Sequence, residues 1–469
     1  MFPAEVYIER RKKLAQLVQS GVLLFLGNAN SPINYQDNVY PFRQDSSFLY
    51  YWGLNCPDLA AVLDVDEGVE TVFGNELTSD ELIWWGQQVS LKEAAAAVGI
   101  RQVRPFQDIE SLIEKVLQGN RTVHFLPQYR VNNGLKILRW LNIPLDDVPD
   151  RVSRLFIKSV VAQRSVKSEA EIEEIEKALS TSHAMHVNAM RMTSPGMYEL
   201  EIVGAMESTA YANGGCRMAY PPIFTVRGEV LHNRFHTNRM NAGDLAINDS
   251  GAESPLLYAS DITRTIPVAG RFSDQQKEIY STVLHGQETA IKAMRPGIEF
   301  RKIHWLASKA LTEGLQQVGL MKGDIESSVR AGAHALFFPH GIGHMMGLDV
   351  HDMEGLGEDL VGYSDDIRRS DQFGLSNLRF ARALKAGFVL TVEPGIYFIP
   401  QLMDRWRAEK KHESFIRYEA LDAFKGFGGI RIEDDLLITQ NGCRVLGKPI
   451  PKTIEDVETY SGHRTDSAG

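Results

Sequence analysis

One order of events occurs twice in this chain of 469 residues. Ser168 and Glu171 form a capping box, in which the serine hydroxyl accepts from the backbone amide three residues on while the acid side chain returns to the serine amide. A helix therefore starts there, carries Ile172, Ile175 and Leu179 at helical spacing, and stops before Ser194-Pro195-Gly196. A second helix, roughly 197 to 213, ends at Gly214-Gly215. Ser273 and Gln276 then repeat the box, a helix runs to about Met294, Pro296-Gly297 breaks it, and a further helix covers about 298 to 318. The capping serines lie 105 residues apart and the Pro-Gly pairs 101 apart. Apolar runs of strand character lie between and after these helix pairs: DLAIND (244 to 249), ASDITRTIPV (259 to 268), FVLTVE (388 to 393) and GIRIEDDLLIT (429 to 439). The pattern predicts a duplicated helix-helix-strand-strand unit, two halves facing each other with mixed or antiparallel sheet and the helices outside. A site is expected where the halves meet.

The chain is too long for one ordinary core, and the pattern divides it at about residue 162. Residues 1–162 alternate strands (22 to 27, 60 to 65, 70 to 74, 122 to 127) with helices (4 to 19, 90 to 98, 108 to 118), and DEG at 66 to 68 reads as a hairpin turn. The expected class is thus α/β (α+β): a small α/β N-terminal domain without clustered catalytic residue types, then the duplicated domain over 163–469. Arg43, Asp45, Tyr50 and Tyr51 suit either plain structural roles, the favoured reading, or a surface facing a second subunit.

Charge and cysteine usage narrow the partners. Fifty basic against sixty acidic residues leave a formal charge of −10, and no Lys/Arg run forms a phosphate-binding stripe, so nucleic acid is not an expected partner. The N-terminal stretch MFPAEVYIERRKKLAQLVQ has charges where a signal peptide needs an apolar core, and GVLLFLG (21 to 27) is too short to span a bilayer. No membrane association and a cytoplasmic location are expected. Cys56, Cys216 and Cys443 are widely spaced and read as small buried hydrophobes, neither a disulfide framework nor a zinc cluster.

The chemistry concentrates in FFPHGIGHMMGLDVHD, residues 337 to 352. Three of the chain's thirteen histidines, His340, His344 and His351, fall within twelve residues there, interleaved with Gly341, Gly343 and Gly347. Histidines at i and i+4 would share a helical face, as in a zinc-binding HExxH helix. Two intervening glycines, each costing a helix interior about 1 kcal/mol, and the absence of the acid argue for an extended or irregular backbone instead. Four carboxylates complete the picture. Asp249 closes one strand run, Asp261 sits twelve residues on beside Thr263 and Thr265, Glu393 precedes Pro394-Gly395, and Glu433 follows Arg431 by two. Each alone suits a strand-end charge or a salt-bridged acid. Together, on strands of one domain, they need compensating positive charge, which two divalent ions beside a histidine-rich loop would supply. Oxygen and imidazole donors without cysteine suit Mn, Co or Zn, and hydrolysis is the expected chemistry.

INDSGA with ASDITRT, PHGIGHMMGLDVHD, VLTVEPGIY and GIRIEDD, in that order over about 165 to 460, resemble the proline-specific metallopeptidases of the pita-bread fold, the aminopeptidase P and prolidase group. The N-terminal domain resembles that group's non-catalytic domain. The resemblance implies metal ligands at Asp249, Asp261, His344, Glu393 and Glu433, with Asp261 and Glu433 bridging two ions, Mn before Co or Zn. It implies that Glu393 also serves as base or proton shuttle, that His351 stabilises the intermediate, that His232 helps bind substrate, that His340 lines the pocket and that Arg431 orients Glu433. It also implies a homodimer. The loop ESPLLYA between Asp249 and Asp261 is longer than the commonest form of the motif, which bears on the pocket rim.

The group's two branches cut different peptides. LSNLRFARAL (375 to 384), GIYFIPQLMDRW (395 to 406) and the insert ending in FKGFGGIR resemble prolidase, and Arg379 falls where prolidases place an arginine that captures the C-terminal carboxylate of an Xaa-Pro dipeptide. A guanidinium can hold a carboxylate bidentately. The plainer reading makes Arg379 one surface charge among the five arginines at 368, 369, 379, 382 and 407. The expected function is therefore an Xaa-Pro dipeptidase, with an aminopeptidase P acting on longer peptides as the alternative and a non-catalytic binding module as the remote one.

Overall fold

The computed structural model describes residues 1–214 and 217–462; Gly215 and Cys216, on which a helix end and a cysteine reading fell, lie outside them. The chain forms two compact units, residues 1–164 with 353–361, and 165–352 with the chain from 362 onward. The short segment 353–361 thus belongs with the N-terminal unit although it directly follows the histidine-rich stretch.

The N-terminal unit is built on a five-stranded mixed sheet in the order Gln102–Arg104, Val69–Phe73, Ala60–Asp64, Val22–Leu26 and Val123–Phe125. Its middle strands pair antiparallel and its outermost ones parallel. Val22–Leu26 is buried along its whole length because both faces are covered, which is why it reads as an unbroken apolar run. Val22, Leu24 and Leu26 face Ile109, Ile113, Ile137 and Trp140, whereas Phe25 packs against Tyr51, Trp52 and Phe156 on the opposite face. Tyr50 and Tyr51 are buried, Tyr51 Oη donates to Gln163 Oε1 at 3.1 Å, and Asp45 caps the helix Ser46–Trp52 by accepting from Phe48 N at 2.8 Å. These contacts fit the structural reading.

In the second unit both capping boxes are present, at the starts of Glu169–Met192 and Asp274–Ala293, and each helix pairs with its successor, Glu199–Ala212 or Phe300–Gln317. An antiparallel sheet follows each pair: Ile223–Thr225, Leu245–Asp249 and Thr263–Pro267 after the first, and Val389–Val392, Asp434–Ile438 and Cys443–Val445 after the second. The duplicated mixed helix-and-sheet arrangement is as expected. Two strand readings need correction. The expected strand 259–268 becomes regular only at Thr263, since the amide of Asp261 is taken by Asp435 Oδ2 at 3.0 Å. The expected strand 429–439 is two strands. Gly429–Arg431 pairs with Gly395–Tyr397 and Asp434–Ile438 with Val389–Val392, while Glu433 between them donates its amide to Thr263 O at 3.0 Å. Glu433 sits at this change of partner. Among the described residues no helix is long and apolar enough to cross a membrane.

Candidate metal centre

The histidine-rich stretch is irregular and runs beside Val389–Val392, as its glycines suggested. Thr391 N donates to His344 O at 3.0 Å, Met346 N to Val389 O at 3.1 Å and Glu393 N to Ile342 O at 2.8 Å. Only glycine fits at 343, where a Cβ would come to 2.1 Å from Thr391 O. That close approach carries His344 to Asp261 and Glu393.

His344 Nε2 lies 3.4 Å from Asp261 Oδ2 and 3.5 Å from Glu393 Oε1. Its Nδ1 is 3.0 Å from Met345 O, a contact that fixes a proton on Nδ1 and turns Nε2 toward the acids. Asp261, His344 and Glu433, all buried, each offer a donor atom within 4.8 Å of the others'. Asp249, at the end of its strand, stands opposite Thr263 in register. Tyr220 Oη bridges the two aspartates, 2.8 Å from Asp249 Oδ1 and in contact with Asp261 Oδ1. Glu433 Oε2 accepts from Thr263 Oγ1 at 2.7 Å, whereas its Oε1 is buried with no hydrogen-bond partner. The structure thus brings together the four carboxylates and the one histidine singled out from the sequence.

Arg431 reaches Glu433 indirectly. Its guanidinium forms an ion pair with Asp249, donates through Nε to Thr263 Oγ1 at 3.1 Å and through Nη1 to Tyr397 Oη at 2.8 Å. It reaches Glu433 through the Thr263 hydroxyl, which accepts from Arg431 and donates to the glutamate. The arginine and the glutamate lie two apart in sequence and meet at the Thr263 hydroxyl, while the ion pair of the guanidinium is with Asp249.

The remaining histidines ring this cluster. His340 Nε2 is 2.9 Å from Tyr397 Oη and its Nδ1 is 2.8 Å from Gly341 O and 3.9 Å from Glu393 Oε2, so its Nδ1–H is held by the carbonyl and Nε2 accepts from the tyrosine. The His351 ring meets that of His344 edge-on, with centroids 4.4 Å apart. His232 reaches solvent from a loop, and partial desolvation together with the charge of Arg431 lowers its pKa; Asp249 and Arg379 also act on it electrostatically. Arg379 is half-buried.

Three participants carried little or no signal in the sequence. Tyr220 has no motif of its own, and Thr263 stood in the sequence only as a neighbour of Asp261. Asp435 had a signal: on a strand it shares a face with Glu433, two residues away, while Asp434 points to the opposite side. There Asp434 is held by Arg264 and Lys452, both at 2.7 Å, whereas Asp435 is buried facing Asp261 with its Oδ1 unpartnered.

The electrostatics show what group these donors fit. Burial pushes the Glu393 carboxyl up to about 7 against the pull of His344 and Arg431, and burial with neighbouring acids raises Glu433 and Asp249 as well. For His344 burial acts downward, yet its contact with Asp261 and the charge of Glu393 push the imidazole up to about 9. The protein's own groups place more negative charge here than they neutralise. An orphaned carboxylate oxygen, four acids and an imidazole whose Nε2 faces them, with no thiolate at this cluster among the described residues, fit divalent cations of hard to borderline character.

Residues 173–440 match the family described as metallopeptidase family M24. The chain belongs to that family. Residues 7–124 match the N-terminal domain of aminopeptidase P. This M24 metallopeptidase is 31% identical to the human Xaa-Pro dipeptidase, over 97% of this chain and 93% of that protein. It is 29% identical to the Xaa-Pro aminopeptidase of Haemophilus influenzae, over 97% of both chains. Among solved structures, a glutamate-to-alanine variant of Escherichia coli aminopeptidase P in complex with substrate matches with a TM-score of 0.81 at 27% identity, covering 98% of this chain and 99% of that one.

Proposed function

We propose that this M24 metallopeptidase hydrolyses the Xaa-Pro bond of Xaa-Pro dipeptides, using two divalent ions held by Asp249, Asp261, His344, Glu393 and Glu433, with Mn as the native metal before Co or Zn. The convergence of Asp261, Glu393 and Glu433 on His344, with Asp249 joined to Asp261 through Tyr220, carries this reading, and relatives named for Xaa-Pro peptidases supply the substrate class. When bound, the ions supply Lewis acidity toward the scissile carbonyl and acidify a water. The chain's own residues do the rest. Glu393 takes a proton at a carboxylate oxygen and returns it to the departing proline nitrogen. His351 and His232 donate to the oxygen on which charge develops, His340 walls the pocket beside Glu393, and Arg431 holds Asp249 in place.

Arg379 is assigned the substrate's terminal carboxylate, which favours a substrate that ends at proline. The aminopeptidase reading has its own support in the solved aminopeptidase P structures that this chain matches. Turnover of Ala-Pro against Ala-Pro-Ala separates the two, and a tripeptide rate equal to or above the dipeptide rate would sink the dipeptidase reading. Arg379→Ala is expected to raise the KM for Ala-Pro by about 10- to 100-fold, the loss of a charge-assisted contact of ~1.5–3 kcal/mol, with bound metal unchanged.

We further propose a cytoplasmic homodimer. On the N-terminal unit Ile83, Trp84, Trp85 and Val89 are 80%, 82%, 70% and 72% exposed, an apolar patch of the kind that marks an interaction surface. A solution mass by light scattering equal to one chain, 52.5 kDa, would overturn the dimer.

A further inference from the structure

His232 sits on the loop between the strand Ile223–Thr225 and the bridge residue Arg239, and both ends of that loop converge on one buried acid, Glu199. Glu199 is the first residue of the helix Glu199–Ala212 and is fully buried, 0% exposed. Its Oε1 accepts from Thr225 Oγ1 at 2.9 Å, Val226 N at 2.8 Å and Asn238 Nδ2 at 3.0 Å. Its Oε2 accepts from Asn238 N at 3.2 Å and Asn238 Nδ2 at 3.0 Å. In return its amide donates to Asn238 O at 3.1 Å. One carboxylate therefore ties residue 226 to residue 238, closing the loop at its neck.

A second line of contacts runs from the acid to the histidine's neighbour. Asn233, next to His232, donates through Nδ2 to Thr225 Oγ1 at 2.9 Å, and that same hydroxyl donates to Glu199. The loop is also seated from the other side. A Cβ on Gly228 would lie 2.8 Å from Gly429 N, and one on Gly429 would lie 2.8 Å from Gly228 O, so two glycines let the loop backbone rest against the strand that carries Arg431. These donors to Glu199 are neutral amides and a hydroxyl, and a carboxylate accepting several N–H and O–H groups is held more rigidly than any one of those bonds would achieve.

We infer that Glu199 is a positioning residue for His232: by clasping the neck of the 226–238 loop and anchoring Asn233 through Thr225, it holds the His232 imidazole at the reacting carbonyl. This rests on the proposed role of His232. The physical case is that a loop residue keeps a productive orientation only if the loop's ends and the residue's neighbour are fixed, and misplacement by about 1 Å can cost on the order of 100-fold in rate.

A double-mutant cycle on the full-length, Mn-loaded protein tests the inference, with Ala-Pro as substrate and metal content measured for each variant. Glu199→Gln, which turns an acceptor into a donor facing Asn238, is expected to lower kcat/KM by at least tenfold with metal content equal to wild type. In a His232→Ala background the same substitution is expected to change kcat/KM by less than twofold, because the residue it positions is gone. Should Glu199→Gln yield no folded protein, the near-isosteric Thr225→Val is carried through the same cycle, with the same pattern at smaller amplitude. A full tenfold fall in the His232→Ala background, a loss of metal in step with activity, or no fall at all would overturn the clasp. Wild-type turnover by His232→Ala itself would overturn the role of His232, and the clasp with it.

Discussion

His344→Ala is expected to lose metal and activity together, whereas His351→Ala loses turnover and keeps its metal. The rings touch edge-on with centroids 4.4 Å apart, so any general disturbance of this loop would reach both. Their polar surroundings separate them. His344 turns Nε2 toward Asp261 and Glu393 while Met345 O holds its other nitrogen, the arrangement of an imidazole pre-set to donate a lone pair to a cation. Removing it takes the only imidazole from the proposed donor set, and metal affinity should fall by more than the roughly 10- to 100-fold expected for loss of a residue that merely supports a ligand. His351 is the proposed donor to developing negative charge, and loss of one such donor costs about 100- to 1000-fold in kcat. Metal titration and steady-state kinetics on both variants decide the matter; a metal-depleted His351→Ala beside a metal-replete His344→Ala would reverse the two assignments.

The second large effect concerns stability. Stripped of metal, the protein should become less stable as pH rises from about 6 to 9. Glu393 is raised to about 7 by burial, and an acid raised on folding adds stability that is complete below its unfolded pKa and disappears as pH climbs through the folded value. His344, raised to about 9 by Asp261 and Glu393 against its burial, acts with the same sign: its contribution is complete below the ordinary histidine value and is lost as pH rises through 9. A tenfold gain in proton affinity on folding is worth about 1.4 kcal/mol, so the summed loss is on the order of a few kcal/mol. Divalent ions compensate the ionised carboxylates, and the metal-loaded protein should show little of this slope. Thermal midpoints with chelator and with excess Mn at pH 6, 7.5 and 9 check it. A chelated protein whose midpoint rises with pH would mean that the carboxylates are neutralised by some other group.

How much was legible follows from where each signal lives. Helix starts are local, since a capping box needs only four residues, and both boxes stand where Ser168 and Ser273 placed them. The refusal of the His340–His344 segment to form a helix is equally local, a consequence of two glycines. The apolar run Val22–Leu26 marked a strand but not its neighbours; the helix Val131–Leu141, which covers one face of that sheet, was not foreseen. The break at Glu433 was hidden because an apolar run looks the same whether it pairs with one strand or changes partner midway. Arg431 illustrates the cost: the resemblance implied that it orients Glu433, and the fold pairs its guanidinium directly with Asp249 and reaches Glu433 through Thr263.

By itself the sequence determined the residue types available to the centre and the duplicated order of the helices, because capping and periodicity act over a few residues. Only the tertiary structure decided which acids meet. Asp261 and Glu433 are 172 positions apart, and they come together because Glu433 leaves one strand pair for another and donates its amide to Thr263. Asp435, Tyr220 and the Glu199 clasp were decided in the same way. A buried polar group takes its meaning from the partner that satisfies it, and that partner is supplied by packing rather than by neighbours along the chain.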